Sequence, residues 1–165
     1  MSRTKDPAWT RNPNFERDGF LLVKGLWNPA ELEDSVPKVP GQYNYGDGRP
    51  ENFTYLPEEN QVSGSASRYW YPKYRQIHTG IRKEIEKRIG RKLFNTYYYD
   101  RFYFPGQELV KHTDRDACEI SVTVHVGTSL KGSAADWPIC IESPDGREHK
   151  IRLKPGDGLI YKGCH

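Results

Sequence analysis

His112 and Asp114, separated by Thr113, are the residues of this chain whose types and spacing most directly imply chemistry. On an extended segment, side chains at i and i+2 leave the backbone on the same side. One imidazole and one carboxylate are therefore aimed at a common point. These are two of the three donors of the two-histidine, one-carboxylate face that holds a divalent iron ion with positions left open for reactants. The third donor is expected to be a later histidine, and the sequence ends on one, His165. Taken alone, His-x-Asp also fits a polar edge strand, so its surroundings decide its weight.

Those surroundings are strands. Residues 97–104 form an aromatic run, with Tyr97, Tyr99, Arg101 and Tyr103 on one face, closed by Pro105-Gly106. Residues 118–126 alternate cleanly: Cys118, Ile120, Val122, Val124 and Val126 face one way, and Glu119, Ser121, Thr123 and His125 the other. Further strands are expected at 138–143, 148–153 and 158–162, separated by turns at Pro144-Asp145-Gly146 and Pro155-Gly156-Asp157. Upstream, apolar residues at helical spacing (Tyr74, Ile77, Ile81, Ile85, Ile89) predict a helix over 72–89 closed by Gly90. His78 lies off that stripe and reads as solvated. Asn28-Pro29 starts a short helix after a strand at 20–24. Residues 36–68, rich in Pro, Gly, Asn and Ser, read as a long loop region, and residues 1–14 as a loose N-terminus.

The chain has 165 residues and a net charge of +3, with acids and bases interspersed. That fits one domain, with support over 15–94 and a strand-rich core over 95–165, and argues against a dedicated nucleic-acid binder. The basic run 81–92 is interrupted by acids and reads as a solvated helix face. Three cysteines without a CxxC pair suit a reduced, cytoplasmic setting, and no apolar run approaches membrane-spanning length. Arg115 and Asp116 read as a solvated turn, and His149 as exposed in a charged hairpin.

The motifs Asp18-Gly19-Phe20, Tyr103-x-x-Gly106-x5-His112-x-Asp114, Ile120-Ser121-Val122-Thr123 and Pro155-Gly156-Asp157-Gly158-Leu159-Ile160-Tyr161 resemble those of the Fe(II)/2-oxoglutarate-dependent dioxygenase superfamily, in its prolyl-hydroxylase-like and phytanoyl-hydroxylase-like branches. The resemblance spans roughly residues 15–165 and implies an α+β chain whose C-terminal half is a double-stranded β-helix, or jelly roll. It implies a hydroxylase using Fe(II), 2-oxoglutarate and dioxygen on a peptidyl or small-molecule substrate. His112 and Asp114 match the metal positions, and Tyr103 matches a tyrosine that hydrogen-bonds 2-oxoglutarate. Arg101, Tyr99 and Thr123 are weaker candidates for the same pocket, with core packing as the competing account. His165 is the best third ligand present. In similar Tyr-Lys-Gly-Cys patterns, however, the iron histidine falls a few residues later. The expectation is therefore a chain cut short, its last strands and the basic partner of 2-oxoglutarate missing. The alternative to an oxygenase is a degenerate β-barrel binding module without a complete triad. A nucleic-acid demethylase of the same superfamily is a third reading.

Overall fold

Asparagine followed by proline starts both short helices in the computed structural model, which describes residues 10–164. Asn12 Oδ1 accepts from the backbone N–H groups of Asn14 and Phe15 (3.0 and 3.2 Å), Pro13 presets the first helical φ, and α1 (Pro13–Asp18) follows. Asn28 caps α2 (Pro29–Leu32) in the same way. α1 corrects the expectation of a loose segment reaching residue 14, and its Phe15 is fully buried. The long helix α3 (Arg75–Ile89) is preceded by a tighter 3-10 turn, Pro72–Tyr74, and ends at Gly90 in the left-handed conformation.

The strands form three sheets. In the first, β1 (Phe20–Val23) and β6 (Ile120–Val124) both pair antiparallel with the central β9 (Gly158–Lys162). One face, with Val23, Ile120, Val122, Val124 and Ile160, packs with Phe15, Leu26 and the Ile81–Ile85–Ile89 stripe of α3 to form the core. The alternation expected for 118–126 is met within β6, while Cys118 lies in a 3-10 turn (Asp116–Cys118). Ser121, Thr123 and Tyr161 therefore lie on the opposite face, Ser121 directly beside Tyr161.

The second sheet corrects the long loop expected over 36–68. That stretch contains β2 (Gly41–Asn44), β3 (Thr54–Leu56) and β4 (Ala66–Tyr69), which join β5 (Tyr99–Phe102) in the order β3-β2-β4-β5. β2 and β4 run parallel, and the other pairs are antiparallel. Cross-strand Tyr43–Tyr55 packing (5.0 Å between rings) holds the hairpin. The strands are short, and a parallel pairing between segments 25 residues apart leaves no local signal. The third sheet is the hairpin β7 (Ile139–Glu142) and β8 (Glu148–Ile151). Its His149 is half-buried rather than exposed, with its ring 4.9 Å from Phe20.

The chain is thus mixed α and β, with its described strands in three sheets. Among the described residues, β5 and β6 each have a ladder partner on one side only.

The second sheet buries an arginine on each face. Arg68 pairs with Asp100, its register partner, and also bonds Tyr74 Oη (3.2 Å) beneath the Tyr71 ring. On the other face Arg101 pairs with Glu59 at 2.9 Å, both side chains almost fully buried. Removing one member of a buried pair strands the other charge, at about 3–5 kcal/mol. Asp100→Ala is expected to destabilise the protein by that order in urea unfolding. The double variant Arg68→Met/Asp100→Leu should recover most of the loss, since it leaves no unpaired charge.

Candidate metal centre and the cleft beside it

His112 and Asp114 belong to no ladder, which corrects the expectation of a paired strand, yet their side chains converge. After the Pro105-Gly106 turn the segment is anchored by Gln107. Its Oε1 accepts from Phe104 N–H (2.7 Å), and its Nε2 donates to the Ser63 carbonyl (3.1 Å). Further along, Asp114 N–H donates to the Gly163 carbonyl at 2.7 Å, and Gly163 N–H donates to the Glu119 carbonyl at 3.0 Å. The end of β9 thereby fixes the backbone of the carboxylate.

The side chains are fixed as well. Ser121 Oγ donates to Asp114 Oδ2 at 2.6 Å, a charge-assisted bond that leaves Oδ1 free. His112 Nδ1 lies 2.9 Å from the Val110 carbonyl, which can only accept, so Nδ1 carries the proton. In the neutral ring Nε2 then presents its lone pair, the arrangement common to metal-binding histidines. Nε2 and Asp114 Oδ1 are 3.6 Å apart. Donors that each reach a metal at about 2.1 Å can share one ion at this separation. Among the described residues no third His, Cys, Asp or Glu joins them, and His165 lies outside those residues. The described chain ends alongside the pair, with Cys164 Sγ 3.5 Å from the Arg115 carbonyl.

The alternation read for 97–103 is met by contacts. Tyr97 and Tyr99 stack at 6.0 Å, Tyr69 stacks on Tyr99 at 4.8 Å, and Arg101 lies over the rings of Tyr99 (5.1 Å) and Tyr103 (5.8 Å). Desolvation of its hydroxyl raises the Tyr99 phenol above its ordinary value, while over a third of the residue stays exposed. Arg101 donates to Glu59 Oε1 (2.9 Å) and Gln61 Oε1 (2.6 Å) and reaches Tyr103 Oη at 3.5 Å. Tyr103 also meets Trp137 edge-on at 4.7 Å. Thr123 lies two residues beyond Ser121 on the same face of β6.

Tyr161 is a site residue that the sequence reading quoted within a motif but gave no role. It is Ser121's register partner, and its hydroxyl is pushed up to about 12, first by burial and then by the Asp114 charge, against the pull of Thr123 and Ser121. The alternation of β9 was a signal for it, since Tyr161 points away from the core residue Ile160. Arg115 is exposed at the start of a 3-10 turn, as expected, but its guanidinium stacks 4.5 Å over the Tyr97 ring. Beside it a cleft of about 460 Å³ opens, walled by Gln42, Asn44, Tyr69, Trp70, Tyr97 and Arg115. Gln42 and Asn44 were hidden in the expected loop, and no sequence signal singled them out.

No family model matches this chain, and no curated protein matches it by sequence. Among solved structures it is similar to a Pseudomonas putida prolyl-4-hydroxylase, with 12% identity and a TM-score of 0.54, over 92% of this chain and 84% of that chain. At that identity the likeness is one of fold. No described helix is long and apolar enough to cross a membrane.

Gly163 makes the geometry testable without touching a ligand. A Cβ there would meet the Cys118 carbonyl and stand 2.6 Å from Asp114 Oδ2. Gly163→Ala is expected to displace the carboxylate and weaken metal binding at least tenfold in an anaerobic Fe(II) titration, while Asp114→Ala abolishes tight binding. Unchanged titrations for both would remove the pair from any metal site.

Proposed function

We propose that this chain is a non-haem Fe(II)- and 2-oxoglutarate-dependent dioxygenase that hydroxylates a C–H bond of a peptidyl or small-molecule substrate. The observation that carries the reading is the convergence of a lone-pair Nε2 on His112 and a free Oδ1 on Asp114, 3.6 Å apart, with the other side-chain polar atom of each held by the protein. The fold likeness to a prolyl-4-hydroxylase supports it, and in this reading the chain is a single domain with a jelly-roll core over residues 95–165.

In this reading His112 and Asp114 hold the iron, with His165 as the proposed third ligand. The bound iron, with 2-oxoglutarate and dioxygen, supplies an oxidative decarboxylation that ends in substrate hydroxylation and releases succinate and CO2. The residues of this chain bind and orient. Ser121 holds one carboxylate oxygen of Asp114 away from the metal side, and the Val110 carbonyl fixes the His112 tautomer. Tyr103, Arg101, Tyr99 and Thr123 are the proposed neighbours of 2-oxoglutarate, and Tyr161 adds a protonated hydroxyl next to Asp114. The stacked tyrosines wall the pocket against water. The cleft beside Arg115 is the proposed entry for substrate. The free cysteines Cys118, Cys140 and Cys164 accord with a cytoplasmic setting.

The test is iron-dependent succinate formation from 2-oxoglutarate by the wild-type protein, lost in Asp114→Ala. No turnover together with no iron binding would count decisively against the reading. If Tyr103 Oη bonds the cosubstrate, Tyr103→Phe should weaken 2-oxoglutarate about ten- to a hundredfold, the value of a hydrogen bond to a charged group. Metal affinity should not change.

A further inference from the structure

A second cleft, of about 320 Å³, opens on the far side of Trp70. It shares Trp70 and Thr96 with the cleft beside Arg115, so the two adjoin as one groove with Arg115, the residue after Asp114, at one end. Several independent features meet in it. Asp47 (φ 54°) and Trp70 (φ 59°), the non-glycine residues with left-handed backbone among those described, both line it. Such outliers concentrate where a ligand is held. Tyr98 Oη, which also lines it, is buried with no hydrogen-bond partner among the described residues, although a buried tyrosine hydroxyl normally finds one. His78, expected to be solvated, is half-buried here with its ring 5.0 Å from Tyr98.

The lining indicates what would fit. No aliphatic side chain lines this second cleft, whose apolar surface is aromatic and whose remaining lining is polar or charged. Arg75 at one end and Arg115 at the other are in no ion pair among the described residues. The Asp47 carboxylate, which would repel an anion, lies 3.6 Å from Arg49. Along the groove, Asn95, Thr96 and Tyr97 make no backbone–backbone hydrogen bond among the described residues. Free main-chain donors and acceptors suit pairing with another main chain.

We propose that this groove is an exosite for an extended acidic peptide. A carboxylate side chain pairs with Arg75, the peptide stacks on Trp70, and its backbone runs along residues 95–97 toward Arg115. The proposal rests on the reading of His112 and Asp114 as the reacting centre and names the class of substrate delivered to it.

The experiment measures fluorescence anisotropy with metal-free protein and a short fluorescein-labelled peptide of alternating Glu and Ser. Versions with Gln or Lys in place of Glu serve as controls. The Glu peptide should bind, and the Gln and Lys versions should bind at least about tenfold more weakly. Arg75→Ala and Trp70→Gly should each cost about tenfold. Glycine keeps the left-handed backbone, so Trp70→Gly removes the ring without adding backbone strain, and a thermal melt confirms that the variant is folded. Asp114→Ala should bind the peptide as wild type does, which separates this proposal from the metal reading. Equal binding of the Glu and Gln peptides, indifference to both groove variants, or displacement by free glutarate or oligothymidylate at matched concentration would each overturn it.

Discussion

The Asp114 carboxylate is the point on which the arrangement depends. Its backbone N–H is tied to Gly163 at the end of β9, and its side chain to Ser121 on β6. Each tie comes from a strand whose other face lies in the hydrophobic core. Burial of Ile160 and Val122 against α3 therefore sets the position of a charged oxygen on the opposite side. The alternation of side chains across a strand converts apolar packing into site geometry. The absence of a Cβ at Gly163 is part of the same constraint, because the carboxylate occupies the space a side chain would need.

The second sheet contributes through charge and ring stacking. Its two buried arginines, Arg68 and Arg101, sit on neighbouring strands but on opposite faces, and each is neutralised locally by Asp100 or Glu59. A buried guanidinium without such a partner would be prohibitively costly. With the charges matched, the sheet can carry the tyrosines Tyr69, Tyr97 and Tyr99 as a stacked layer next to Tyr161. That layer gives a sheltered, rigid wall with few rotatable bonds. The groove that begins at Arg115 runs along its edge past Trp70.

Comparison of sequence and structure separates local signals from non-local ones. The alternation of β6, the stripe of α3 and the bounds of β9 were legible because each pattern lies within one element and reflects one buried face. α1 was legible in principle, since Asn12-Pro13 repeats the start signal of Asn28-Pro29, but the polar residues around it masked the pattern. β2, β3 and β4 were not legible. They are three to four residues long, lie among turn-forming residues and gain stability only from pairing with one another and with β5.

The sequence by itself determined that an imidazole and a carboxylate two residues apart would point the same way, and that Ser121 and Thr123 would share a face opposite the core. The covalent repeat of an extended backbone dictates both. Only the tertiary structure decided what meets these groups. Tyr161 lies within the field of the Asp114 charge because β9 pairs with β6 in one register. Arg115 lies over Tyr97, and Trp70 joins two clefts. Contacts between segments tens of residues apart are fixed by how buried surfaces and paired charges fit together, and that fit is written in no single stretch of the chain.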